Sequence, residues 1–143
     1  MDTIFDKIIK GELPCDKVYE DDNFLVILDK FPANAGHCLI LPKIPAKDIY
    51  DLDESMAAAL YPLAKRVAAG LKAVLNCDGI NILQNNESAA GQVIFYFHLH
   101  IIPRFKEDSI TIKTVYKKDA ELPKEDYKNL VAAIALDGNG VVL

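Results

Sequence analysis

Across residues 53–75 the apolar side chains Met56, Leu60, Leu63, Val67, Leu71 and Val74 recur at spacings of three and four. That is the period of one helix face, and a helix this long carries a stripe that must be buried. Asp53 stands where a cap belongs, and residues 76–79 end the pattern. Most of the sequence around it is of a different kind. Short β-type runs are expected at 18–20 and 24–28, around a turn at 21–23, and at 38–41 and 80–83. Residues 93–102 give the strongest strand signal, and 110–116 a weaker one. Two more helices are expected. One spans 3–10, capped by Thr3 and ended by Gly11 and Pro14; the other spans 123–136, opened by Pro123. Residues 31–36 and the polar stretch 84–92 read as loops. Hairpins beside long helices point to an α+β fold with a mainly antiparallel sheet, not to a doubly wound one. The 143 residues show no repeat or linker, so one domain over 1–143 is expected.

Just over half the residues are hydrophobic and a quarter are charged, the balance of a globular protein. No apolar run approaches the roughly 20 residues a membrane span needs. Charges at Asp2, Asp6, Lys7 and Lys10 argue against a signal peptide. Cys15, Cys38 and Cys77 form no CxxC pair and are odd in number, which suits free thiols. A cytoplasmic location is expected. The net charge of −5 disfavours broad nucleic-acid binding but not a nucleotide ligand, because a pocket can be locally positive in an acidic protein.

The chain has three histidines, and two of them, His98 and His100, lie two residues apart in the 93–102 run. Strand side chains alternate faces, so Tyr96, His98 and His100 are expected on one face and Phe97, Leu99 and Ile101 on the other. The apolar set is core. The imidazole pair has three readings. One is two polar residues on a solvated face. Another is a metal site, which would need a third ligand such as His37. The third is phosphate chemistry, which suits a polar, Gly-containing loop running into paired imidazoles.

Three ordered blocks narrow the choice. They are Asp2 to Ile9 with Leu13-Pro14; Leu28-Asp29 with the run Gly36 to Lys43; and Gly91-Gln92 leading to His98-Leu99-His100 and Pro103-Arg104. Together they resemble the histidine triad (HIT) family, in particular its Hint-like branch, over about residues 2–105. The family signature is His-x-His-x-His, and Tyr96 occupies its first position here. The resemblance implies a HIT-like fold and a nucleotide hydrolase or nucleotidyl transferase. His98 would attack the α-phosphorus to form a nucleotidyl-histidine, which water or another acceptor then releases. His100, Gln92 and Asn85 would bind phosphate oxygens. Asp29 would hold the ribose, and Ile4, Phe5, Ile8 and Ile27 would line the base pocket. His37 would sit behind the imidazole pair. The expected ligand is a purine nucleotide or nucleotide conjugate, with no cofactor, and the branch forms homodimers.

Several positions depart from the family pattern. Thr3, Asp6, Pro45 and Tyr96 stand where many bacterial members hold structural zinc, and this set is a poor zinc site, so no metal is expected. Val93 replaces a serine that would contact phosphate, and Lys30 replaces an apolar residue near the base. Two alternatives therefore stay open: a nucleotide-binding protein with little turnover, and a metal-binding module built on His37, His98 and His100.

Overall fold

The computed structural model describes residues 1–112, 117 and 120–134. Its elements are α1 (Ile4–Ile9), β1 (Lys17–Glu20), β2 (Phe24–Leu28), β3 (Cys38–Pro42), α2 (Glu54–Leu75), β4 (Gly79–Leu83), β5 (Leu99–Arg104) and α3 (Lys124–Ile134). The chain divides into two units, Met1–Ile110 and Thr111–Leu143. The five strands all belong to the first. They form one antiparallel sheet in the order β1-β2-β3-β5-β4. This is the α+β architecture that the sequence predicts.

The uninterrupted apolar runs of β2 and β3 follow from a sheet buried on both sides, where each face needs its own apolar set. Val26, Ile40, Phe97, Leu99 and Ile101 pack on one side against Met56, Leu60, Leu63 and Ala64 of α2. Leu25, Ile27, Leu39, Leu41 and Tyr96 pack on the other around Phe5 of α1. α2 carries Pro62 within it. The proline has no N–H to give the preceding turn, a loss offset by the burial of Leu60, Leu63 and Ala64 around it. The helix closes on Asn76 in the left-handed conformation, whose N–H bonds the Lys72 carbonyl. Asp53 is the N-cap by position, but its side chain makes no capping bond. α1 is capped on both sides: Thr3 accepts from the Asp6 N–H, and the Asp6 carboxylate takes the Thr3 N–H at 2.7 Å.

The strand expected over 93–102 is shorter than its composition suggests. Pairing with β3 ends at Ile40↔Leu99 and pairing with β4 ends at Leu83↔His100. Residues 93–98 therefore have no ladder partners among the described residues, and other groups take their polar atoms. The Phe97 N–H donates to Ala46 O at 2.7 Å, and Ile94 O accepts from the Gln92 side chain. The face alternation persists: Tyr96 joins one core cluster, while Phe97, Leu99 and Ile101 join the other.

In the second unit α3 runs from Lys124 to Ile134, and none of its residues is buried within the described structure. Of the run expected over 110–116, residues 110–112 form no strand and 113–116 lie outside the described residues, as do 135 and 136 of the expected final helix. Among the described residues no helix is long and apolar enough to cross a membrane.

Candidate active site

His98 and His100 project side by side where the chain enters β5, with ring centroids 4.9 Å apart. His37 joins them from the end of the loop before β3, and its ring lies 5.1 Å from that of His100. Leu39 of β3 pairs with His100, which is why the loop leading into β3 reaches this point. Phe5 approaches from α1, edge-on to His98 at 5.0 Å.

Burial pushes all three imidazoles below the ordinary histidine value. For His100 the neighbouring His98 and His37 rings add to the effect and bring it to about 4. The Asp29 carboxylate works the other way on each. Near pH 7 the three rings are therefore neutral, and each carries one proton on one nitrogen.

Hydrogen bonds determine which nitrogen that is. The Ala33 N–H can only donate, and it points at His37 Nδ1 at 3.0 Å. The His37 proton is then on Nε2, which lies 2.9 Å from His100 Nδ1 and 3.5 Å from an Asp29 carboxylate oxygen. His100 Nδ1 accepts, so its own proton sits on Nε2. His98 Nδ1 lies 2.6 Å from the Tyr96 carbonyl, an acceptor, and so carries the proton there. The result is one ring with a free lone pair, His98 Nε2, beside one with a free N–H, His100 Nε2. Neither atom has a protein partner among the described residues. A neutral nucleophile next to a donor suits attack on an electrophile that carries anionic oxygens.

A cavity of about 340 Å³ opens next to Phe5. Ile4, Phe5, Ile8, Ile27 and Asp29 line it, so the residues expected from sequence to hold the base and the ribose come together there. Lys30 and Phe31 also reach it, as do Cys15, Leu39 and Ile94, which sequence reasoning did not single out. Asp29 sits on the wall nearest His37; one of its carboxylate oxygens takes the Phe31 N–H and the other faces the imidazole.

His98, His100, Asn85 and Gln92 are not among the walls of that cavity; Phe5, which lines it, links it to His98. Gln92 is buried and its amide is fully engaged: Oε1 takes the Glu87 N–H at 2.7 Å, and Nε2 donates to Lys47 O at 2.7 Å and Ile94 O at 3.2 Å. It ties the loop before the histidines to the segment after β3. Asn85 packs at the other end of the loop, with Nδ2 3.5 Å from where a Cβ on Gly91 would stand. Gly91 has φ +91°, which glycine adopts without strain. Val93 is 83% exposed and offers no polar side-chain atom.

A metal ion would find one ligand atom each from Asp29, His37 and His100, all within 4.8 Å of one another. That trio includes Asp29, where the sequence reading put His98. Thr3 and Asp6 make the α1 capping box, and the Tyr96 hydroxyl donates to the buried Pro42 carbonyl.

The HIT domain family matches residues 10–107. The chain is 40% identical over 125 residues to adenylylsulfatase HINT3 of Arabidopsis thaliana, covering 87% of this chain and 64% of that protein, so it spans less than two thirds of that relative. It is 37% identical over 134 residues to the Protein hit of Bacillus subtilis, covering 92% and 91%. It is also 37% identical over 108 residues to adenosine 5'-monophosphoramidase hnt1 of Schizosaccharomyces pombe, covering 76% and 78%. Among solved structures, a HIT family protein from Bacillus anthracis superposes with a TM-score of 0.83 at 37% identity, covering 94% of this chain and 95% of that one. Matching the family model over residues 10–107 and relatives at 37–40% identity over most of its own length, the chain belongs to the histidine triad family.

Proposed function

We propose that this protein is a nucleotide hydrolase or nucleotidyl transferase that works through a nucleotidyl-histidine on His98. Family membership and two relatives named adenylylsulfatase and adenosine 5'-monophosphoramidase support a nucleotide substrate. The observation that carries the reading is the hydrogen bonding of the two adjacent rings, His98 Nδ1 on Tyr96 O and His100 Nδ1 on His37 Nε2, which puts their protons on opposite nitrogens.

The nucleoside of a purine nucleotide conjugate would occupy the cavity, its base against Ile4, Phe5, Ile8 and Ile27 and its ribose on Asp29. His98 Nε2 attacks the α-phosphorus, and the bond to the leaving group breaks. The leaving group departs with that electron pair and takes a proton from water. The ring now carries positive charge, which the Tyr96 carbonyl stabilises through Nδ1–H. His100 Nε2–H donates to a phosphate oxygen as charge builds there. Water then attacks the same phosphorus and the Nε2–P bond breaks, returning neutral His98 and a nucleoside monophosphate. Gln92 contributes by holding the loop, and Asn85 by packing under Gly91.

His98→Ala should abolish hydrolysis of an adenosine phosphoramidate while the fold persists, and wild-type protein quenched during turnover should gain the mass of one nucleotidyl group. Full turnover by the variant would overturn the reading. The exposed apolar Val93 favours a second reading, nucleotide binding without turnover, which predicts AMP affinity and no adduct. We also propose a homodimer, supported by Val74 standing 83% exposed on α2 and by β4 ending the sheet among the described residues; sedimentation measures it.

A further inference from the structure

Asn34 is read from sequence only as part of a loop, yet it makes three hydrogen bonds. Its Nδ2 donates to Pro103 O at 2.9 Å and to Asp108 Oδ2 at 3.0 Å, while its backbone carbonyl takes the His37 N–H at 3.1 Å. Pro103 lies on β5, the strand that begins with Leu99 and His100. Asp108 makes an unyielding anchor. Its carboxylate also accepts from Arg104 Nε and Nη2 and from the Phe105 and Ile110 N–H groups. The Arg104 guanidinium and those N–H groups hold its carboxyl far below the usual range, so it stays an acceptor and fixes which end of the Asn34 amide faces it.

The residue before Asn34 supplies the N–H that places the His37 proton. Without the two side-chain bonds of Asn34 the turn keeps only the His37 N–H bond to its backbone carbonyl and holds the Ala33 N–H less firmly against His37 Nδ1. His37 is then held in its Nε2–H form only by the Asp29 carboxylate at 3.5 Å, and the form that carries the proton on Nδ1 and accepts at Nε2 becomes populated beside it. His100 Nδ1 must become the donor in that pair, and its Nε2 loses its proton. A hydrogen-bond donor facing phosphate would become a lone pair that repels it. The switch needs no movement of either ring; the loss of one backbone donor leaves only Asp29 to oppose it.

We propose that Asn34, anchored by Asp108, is a positioning residue: by holding the Ala33 N–H on His37 it keeps the proton of His100 on Nε2. The consequence for turnover rests on the function proposed above; the protonation pattern does not.

Two measurements separate these. Two-bond nitrogen–proton correlation spectra at neutral pH report which nitrogen of each histidine is protonated. Wild-type His100 should show its proton on Nε2, and Asn34→Ala and Asn34→Asp should show it shared with or moved to Nδ1. Asn34→Ser keeps one donor and should restore much of the wild-type pattern; as the mildest change, it also stands in should Asn34→Asp fail to fold. With an adenosine phosphoramidate, Asn34→Ala should lose roughly tenfold in kcat with little change in KM, less than the ~10²–10³ that deleting a transition-state donor outright costs. A purely structural Asn34 would lower the melting temperature and leave the His100 pattern and kcat alone, and that result overturns the proposal. So does a wild-type His100 with its proton on Nδ1. Should the wild type turn over no nucleotide conjugate, the spectra still decide the point.

Discussion

Phe5 stands edge-on to His98, ring centroids 5.0 Å apart and planes at 60°, and it is the one buried residue of α1. The same side chain lines the cavity and lies 6.2 Å from the Tyr96 ring. One aromatic therefore seats the helix, walls the cavity and stands against His98, the proposed nucleophile.

Phe5→Ala should cost about 3–5 kcal/mol of stability, the usual range for a buried phenylalanine. Phe5→Leu restores most of the volume without the edge-on contact. It should recover most of the stability while kcat stays depressed. Urea unfolding and steady-state kinetics on both variants test this, and equal recovery of both quantities would count against a bracing role.

The lowered histidine values set two pH dependences. Activity needs neutral His98, and burial holds that ring below 6.5, the ordinary value. The rate should stay level as pH falls past 6.5 and drop only at lower pH; a fall centred at or above 6.5 would show an unshifted nucleophile. Stability follows the same sign. The unfolded chain takes up protons near 6.5, whereas folded His100 resists until about 4. The unfolded state binds more protons in that window, so unfolding free energy should decline as pH falls from 6.5 towards 4. Urea titrations of wild type and His100→Asn at pH 7 and pH 5 check it, with the variant expected to lose less.

Much of this arrangement is legible in the sequence. The apolar runs of β2 and β3, the three- and four-residue spacing in α2 and the alternation through Phe97, Leu99 and Ile101 mark elements whose burial decides their form. Residues 93–98 mislead because their composition is that of a strand. What a strand also needs is neighbours, and β3 and β4 stop pairing at Leu99 and His100. No local pattern reveals where partners end. The residues around the cavity are legible through family resemblance more than periodicity, since Ile4, Ile8 and Ile27 look like any core side chains. Gln92 shows the reverse problem: its place before the histidines suggests a ligand contact, and its three hydrogen bonds all go to backbone groups of the loop and the segment it holds. Ala33 acts through a backbone N–H, which leaves no trace in residue type.

Tyr96 replaces the first histidine of the family signature, and its hydroxyl donates to the buried Pro42 carbonyl. Tyr96→Phe leaves that acceptor unpaired and should cost about 1–3 kcal/mol. The bond that orients His98 comes from the Tyr96 backbone carbonyl, which the substitution keeps. Stability should fall while kcat holds, measured by thermal unfolding and initial rates; a matched collapse of kcat would mean that the hydroxyl, too, serves the nucleophile.

Glu87 has φ 69° and ψ 158°, a backbone conformation that belongs almost wholly to glycine. It persists because the Gln92 side chain accepts the Glu87 N–H at 2.7 Å, and the Gln92 amide is itself anchored on Lys47 O. Such strain costs on the order of 1–3 kcal/mol. Glycine would remove it and would lose about 0.5–1 kcal/mol to greater freedom in the unfolded chain. Glu87→Gly should therefore stabilise the protein by about 1 kcal/mol, read as a shift of the urea midpoint at constant slope. Gln92→Ala should do the opposite, because it strips the strained turn of its acceptor and leaves Lys47 O and Ile94 O without a shared donor. In the double variant Glu87→Gly should return only the ~1 kcal/mol of strain relief that it gives the wild type, less than the loss of the donor to Lys47 O and Ile94 O, since those bonds are independent of strain at residue 87. A double variant as stable as wild type would show that relief of the turn, and not the tie to the segment after β3, is what Gln92 provides.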